Sequence, residues 1–192
     1  MQRVMTESLA SISEAEYLEG EALSPIKHEY REGEVRAMAG ASIRHNRISL
    51  NLVVGFRQHS RCRVLAMDVK VQTPGAYYYP DVLLSCAEET DPYVEREPCL
   101  IAEVLSPSTE VIDRTEKLRR YRRVPSLQAY LLVDQEAPRV EVYRRAGELW
   151  VYEMLEGTGE LVLPCLERPL SLAAVYEGIG FPDGEAPESV GA

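Results

Sequence analysis

Glu103 sits alone in the apolar run Leu100-Ile101-Ala102-Glu103-Val104-Leu105. A carboxylate buried there without a partner would cost several kcal/mol or be forced neutral. It therefore calls for a cation, a metal ion or a strand end open to water, the plainest case being an ion-paired strand residue. Asp81 poses the same problem one strand earlier. Pro80 precedes it and cannot donate to a sheet ladder, so the chain should bend there and aim Asp81 out of the sheet plane. If the two strands are neighbours, the carboxylates converge, and they repel unless a cation lies between them. Oxygen ligands without His or Cys suit Mg²⁺ or Mn²⁺. Lys117 lies on the following helix, four residues after Asp113 and on the same face. It is one of three lysines against eighteen arginines. A compact ammonium can approach a water or a phosphoryl oxygen as a point charge. The plain alternative is a surface Asp113–Lys117 pair worth about 0.3–0.5 kcal/mol.

Other chemistries find little support. His28, His45 and His59 are dispersed, and no G-x-S-x-G elbow, G-x-G-x-x-G or P-loop is present. His45 falls near the start of the second helix and could face the site, although a surface or capping role is the simpler expectation. Cys62, Cys86, Cys99 and Cys165 form no C-x-x-C pair and no zinc-type spacing. They read as reduced core thiols of a cytoplasmic protein. The net charge of −10 argues against a general nucleic-acid coat. The stretch Arg114–Arg123 nevertheless carries six basic residues and one acidic, a local charge of +5 that leaves −15 for the remainder. Such a patch can steer an anion, though a charge run is often only a solvated helix face.

The elements that must hold these groups are legible in outline. Ser13-Glu14-Ala15-Glu16 is a capping box opening a short helix that runs to about residue 20. Residues 28–38 read as two strands around Glu32-Gly33. Ser42 caps a second helix to about His59, with Ile43, Ile48, Leu52, Val53 and Phe56 at near-helical spacing. Residues 64–71 alternate as one half-buried strand, with Leu65, Met67, Val69 and Val71 on one face. Residues 77–84 are β-prone, 88–97 an acidic loop, and 99–105 a central strand. A helix is expected from Glu110 to Arg123, ended by Pro125. A strand follows at 130–133, a hairpin at 140–155 around Ala146-Gly147, and a last short helix at 171–177. The length and 45% hydrophobic content suit one domain. It is placed at 13–181, between a flexible N-terminus at 1–12 and a disordered tail at 182–192. No signal peptide or membrane span is read.

Pro80-Asp81, Glu103-Val104-Leu105 and Asp113…Lys117 together resemble the PD-(D/E)XK nuclease superfamily. The stretches Tyr79-Pro80-Asp81-Val82, Ile101 to Thr109, Asp113…Lys117…Tyr121 and Tyr130 to Asp134 are similar to its Uma family of restriction endonucleases, over about residues 16–181. The Glu-Val-Leu-Ser-Pro-Ser-Thr stretch is the specific part. The resemblance implies an α/β (α+β) restriction-endonuclease-like core, a mixed β-sheet flanked by helices with additional β-hairpins. It implies a magnesium site on Asp81 and Glu103 with the Val104 carbonyl as a further ligand, and Glu29 as an added acidic member. The superfamily's lysine falls at Leu105 here, so Lys117 would replace it. The implied activity is Mg²⁺-dependent cleavage of DNA, with Arg114, Arg119, Arg120 and Arg123 holding flanking phosphates. A homodimer is expected, with the 140–155 hairpin or the N-terminal helix as contact surfaces. The rival expectation is a domain of the same fold that binds or assembles without catalysis.

Overall fold

The computed structural model describes residues 11–181. The expected tail at 182–192, and the expected flexible start at 1–12 except for its last two residues, lie outside the described residues. Ile12 is held in place: its N–H donates to Gly33 O at 3.1 Å.

Helix α1 (Glu14–Leu23) opens on the expected capping box. Ser13 Oγ accepts the Glu16 N–H, and the Glu16 carboxylate accepts the Ser13 N–H. The helix continues through Gly20 to Leu23. Strands β1 (His28–Arg31) and β2 (Glu34–Ala37) form a hairpin. Its two turn residues, Glu32 and Gly33, have φ of 45° and 96°, as a two-residue hairpin turn demands. Helix α2 (Ile43–His59) is capped by Ser42 Oγ on the His45 N–H. Ile48, Leu52 and Phe56 form its buried stripe, whereas Ile43 is left in solvent.

The single strand expected at 64–71 is instead two strands in different sheets, β3 (Arg63–Ala66) and β4 (Lys70–Thr73). Between them Met67 adopts φ 59° and its N–H donates to Asp81 O at 3.1 Å. The alternation of apolar residues continues through the break, which is why periodicity alone conceals it. The 77–84 segment divides likewise, into β5 (Ala76–Tyr78) and β6 (Val82–Ser85). Pro80 supplies the division, and Asp81 sits in the gap. The acidic loop carries a short strand, β7 (Val94–Glu95), and then β8 (Leu100–Val104) follows.

The helix expected to run unbroken from Glu110 to Arg123 is a composite. It consists of α3 (Glu110–Ile112), a π-helical turn at Asp113–Lys117 and α4 (Leu118–Tyr121). The described residues continue with β9 (Ala129–Val133), β10 (Arg139–Ala146), β11 (Leu149–Glu156), β12 (Glu160–Leu161), β13 (Leu170–Ser171) and α5 (Leu172–Val175).

The main sheet has the order β11-β10-β9-β8-β6-β3. It is mixed, because β8 and β9 are parallel while the other pairs are antiparallel. A five-stranded sheet, β2-β1-β5-β4-β7, lies alongside, and β12 pairs with β13. Alternation along β8 decides which core each residue enters. Leu100, Ala102 and Val104 pack with α2 and α5. Ile101 packs with Tyr121, Tyr130 and Leu132 on the opposite face.

The cysteines depart from expectation as well. They are not isolated reduced thiols: Cys62 is bonded to Cys86 and Cys99 to Cys165. Their sequence separations of 24 and 66 residues give no hint of the adjacency that the sheet creates.

Candidate active site

Glu103 takes the Ile101 side of β8, so it faces the 113–121 segment and is only 3% exposed. The π-helical turn explains how that segment meets it. The Leu118 N–H reaches back to Asp113 O, one residue further than an α-helical bond. Tyr130 OH donates to the same carbonyl at 3.1 Å. Asp113 and Lys117 are both buried by this wider turn.

Lys117 Nζ lies 3.0 Å from Glu29 Oε1, 3.1 Å from Glu103 Oε1 and 3.2 Å from Asp113 Oδ1. Tyr121 OH donates to Glu103 Oε1 at 3.1 Å. Asp81 joins through the backbone. The Val104 N–H donates to Asp81 Oδ2 at 2.7 Å, and the Asp81 N–H donates to Glu103 Oε2 at 3.4 Å. His45 Nε2 stands 3.2 Å from Asp81 Oδ2. Glu29 arrives from the other sheet: β1 pairs with β5, and the chain of β5 turns at Pro80 into β6. The structure thus brings together Asp81, Glu103, Lys117 and Glu29, the four residues singled out from the sequence.

Three neighbours were not on that list. Asp113 belongs to the Asp113…Lys117 motif but carries no expected role beyond a surface pair with Lys117, yet it is 1% exposed. Its i,i+4 spacing to Lys117 was the available signal. Tyr121 carries its signal in the Asp113…Lys117…Tyr121 stretch, and His45 in its place near a helix start that could face the site. Glu103, Lys117 and Asp113 form a closed floor, with side-chain exposures of 4%, 6% and 2%. Asp81, Glu29 and His45 form the rim, at 20%, 16% and 12%, so anything entering meets them first.

Burial pushes the Glu103 carboxyl well above the usual carboxylate range. Lys117 opposes this, while Asp113, Asp81 and Glu29 add to it. Burial also raises Asp113 against the pull of Lys117. For Lys117, burial works against the charged form, but Glu103, Glu29 and Asp113 together hold the ammonium well above its ordinary range. His45 follows the same logic. Burial disfavours its charge, and the Asp81 hydrogen bond, the Asp81 charge and the Val104 carbonyl outweigh it, so the imidazole is raised. Burial raises Tyr121, which remains a neutral donor.

The donor set fits a hard divalent cation. Four carboxylates stand around one ammonium, Lys117, with the His45 imidazole at the rim, and all of the carboxylate donor atoms are oxygen. Asp113 Oδ1 is buried without a well-directed hydrogen bond; its 3.2 Å approach to Lys117 is electrostatic. His45 stands against Asp81, one of the expected ligands.

The arginines do not act as one surface. Arg120 is 3% exposed, donates to Pro74 O at 2.9 Å and pairs with Glu32 at 3.1 Å. It is a structural residue and leaves the phosphate-holding set. Arg114 is engaged by Glu110 and Glu141. Arg119 and Arg123 are exposed, and Arg123 lines a separate groove with Arg96 and Gln72.

A mixed sheet with an aspartate at a strand break, a buried glutamate on the neighbouring strand and a lysine on the helical segment that follows is the arrangement of a restriction-endonuclease-like domain. The chain belongs to the Uma2 family, described as "Putative restriction endonuclease", which it matches over residues 14–174. It is 34% identical over 182 residues to the uncharacterized protein slr1290 of Synechocystis sp., covering 88% of this chain and 94% of that one. It is 37% identical over 157 residues to the uncharacterized protein sll1609 of the same organism, covering 76% and 88%. The fold is shared with a crystal structure of a "putative nuclease belonging to DUF820" from Anabaena variabilis. The TM-score is 0.68 at 19% identity, covering 84% of this chain and 96% of the other. Among the described residues, no helix is long and apolar enough to cross a membrane.

Proposed function

We propose that this chain is a Mg²⁺- or Mn²⁺-dependent endonuclease acting on DNA. The observation that carries it is the meeting of Lys117 Nζ with Glu29, Glu103 and Asp113 at 3.0–3.2 Å, beside an Asp81 bonded to the Val104 N–H. Asp81 and Glu103 would hold the ion, with the Val104 carbonyl as a third donor. Such an ion supplies Lewis-acid polarisation of a phosphoryl oxygen and a lowered pKa for water. Without the ion, Glu103, Glu29 and Asp113 hold the Lys117 ammonium well above its ordinary range against the effect of burial. Its role is to orient the attacking water or offset charge growing on the phosphoryl oxygens. Tyr121 fixes Glu103 from the other side. His45, on the rim against Asp81, is placed to contact the phosphate as it enters. Arg119 and Arg123 remain exposed for flanking phosphates. A homodimer is proposed as the working form; edge strand β11 exposes Leu149, Val151, Tyr152 and Met154.

The test is cleavage of plasmid and single-stranded DNA with Mn²⁺ or Mg²⁺, comparing the natural chain with Asp81→Asn and Lys117→Ala. Metal-dependent cleavage absent from both variants is expected. Metal binding without cleavage of any nucleic acid would overturn catalysis and favour the non-catalytic module, which the net charge of −10 also favours.

A further inference from the structure

All four cysteines of the chain converge at one place, on the far side of the β6–β8 pair from the acidic site. Cys86 follows β6 and Cys99 precedes β8, while Asp81 precedes β6 and Glu103 lies near the end of β8. The antiparallel register, Leu84 opposite Leu100 and Val82 opposite Ala102, puts these pairs at opposite ends. Cys62 comes from the turn before β3, whose Arg63 pairs with Ser85. Cys165 comes from the loop between β12 and β13.

The two bonded pairs touch each other. Cys86 Sγ lies 3.4 Å from Cys99 Sγ, across the pairs. The Sγ atoms of Cys62, Cys86 and Cys99 all fall within 4.8 Å of one another, and Cys165 adjoins them through Cys99. Two disulfides have no need of such contact. Four thiolates around a zinc ion do: ligands at about 2.3 Å in a tetrahedron stand about 3.8 Å apart.

The surrounding backbone is fixed by bonds that involve no sulfur. Ser60 Oγ donates to Cys165 O at 2.6 Å and accepts the Cys62 N–H at 3.1 Å, so one hydroxyl ties two of the four segments together. The Glu167 N–H donates to His59 O at 2.7 Å, and Arg168 Nη2 donates to Gln58 O at 2.9 Å. The Cys99 N–H donates to Leu84 O at 2.8 Å. Cys165 is held at φ 70°, a left-handed conformation that a non-glycine residue adopts only when its surroundings impose it. None of these bonds uses a sulfur atom.

We propose that in the reduced chain Cys62, Cys86, Cys99 and Cys165 form a four-thiolate site for one Zn²⁺ ion, separate from the acidic centre. A thiol reductant converts each disulfide to two thiols, delivering two electrons and two protons and becoming a disulfide itself. Zinc then forms four Zn–S bonds and the four thiol protons pass to water. The ion joins the end of α2 and the β12–β13 loop to the far edge of the main sheet, so its role is structural.

The experiment is elemental analysis of the full chain purified under reductant and dialysed against trace zinc, with a thiol count after denaturation. About one zinc per chain and four thiols released with it are expected. Four thiols without zinc, or no thiols and no zinc, would overturn the proposal. Cys86→Ser, at the exposed member, should lose the zinc. Retention of the full complement would count against the site. If that variant fails to fold, Co²⁺ titration of the natural chain replaces it. Thiolate-to-cobalt charge-transfer absorption with tetrahedral visible bands is expected, and its absence refutes the site. Asp81→Asn should keep its zinc, which separates this centre from the acidic one.

Discussion

Lys117 Nζ stands 3.1 Å from Glu103 Oε1, and both side chains are closed to solvent. The pair joins the central strand β8 to the π-helical turn. Glu29 and Asp113 complete the shell around the ammonium. Removing the ammonium leaves three carboxylates facing one another. Lys117→Met should therefore destabilise the metal-free chain by about 3–5 kcal/mol, the usual cost of stranding buried charge. Urea unfolding with and without Mg²⁺ checks this. Mg²⁺ should restore part of the loss, because a cation again stands among the carboxylates.

Asp81→Asn and Asp81→Ala should differ. Either substitution removes a carboxylate ligand, so Mn²⁺ binding by calorimetry should fall below detection in both. Only the alanine also deprives the Val104 N–H of its acceptor. That should cost about 1–3 kcal/mol more in unfolding free energy. Equal stability of the two variants would show that this hydrogen bond contributes nothing.

The arginines should separate into two groups. Arg119→Ala and Arg123→Ala remove exposed charges, and each should weaken DNA binding and lower the salt dependence of affinity by about one unit of slope. Neither should shift thermal stability by more than about 0.5 kcal/mol. Arg120→Ala should do the reverse. It removes a buried group bonded to Pro74 O and paired with Glu32, so the melting temperature falls. Fluorescence anisotropy over a salt series, with parallel melts, distinguishes the groups.

Glu116 gives a pH dependence outside the acidic centre. Burial works to raise its carboxyl, but hydrogen bonds from Tyr78 OH and Arg31, with the Arg31 and Arg120 charges, bring it below its ordinary 4.5. A carboxyl depressed in the folded state stabilises above its unfolded pKa, and that stability is lost as pH falls through the folded value. The natural chain should lose stability on acidification below about pH 4.5. Glu116→Gln should be less stable at neutral pH and should show a shallower acid limb in urea unfolding.

Much of the site was legible because a charged residue in an apolar run demands a reason. Glu103 in its strand, Asp81 after Pro80 and a rare lysine on the next helix could all be named from residue type and spacing. So could the helix caps at Ser13 and Ser42 and the hairpin at Glu32-Gly33, which depend on bonds spanning two or three residues. The division at Met67 was not legible, because apolar alternation runs straight through a change of sheet. Nor was the π-helical turn, whose extra residue is fixed by what Asp113 and Lys117 must reach. The cysteine cluster was hidden for the same reason. Local sequence sets local hydrogen bonds and burial patterns, whereas Glu29 meeting Lys117, or Cys62 meeting Cys86, is a distance between segments that only strand register and sheet packing decide.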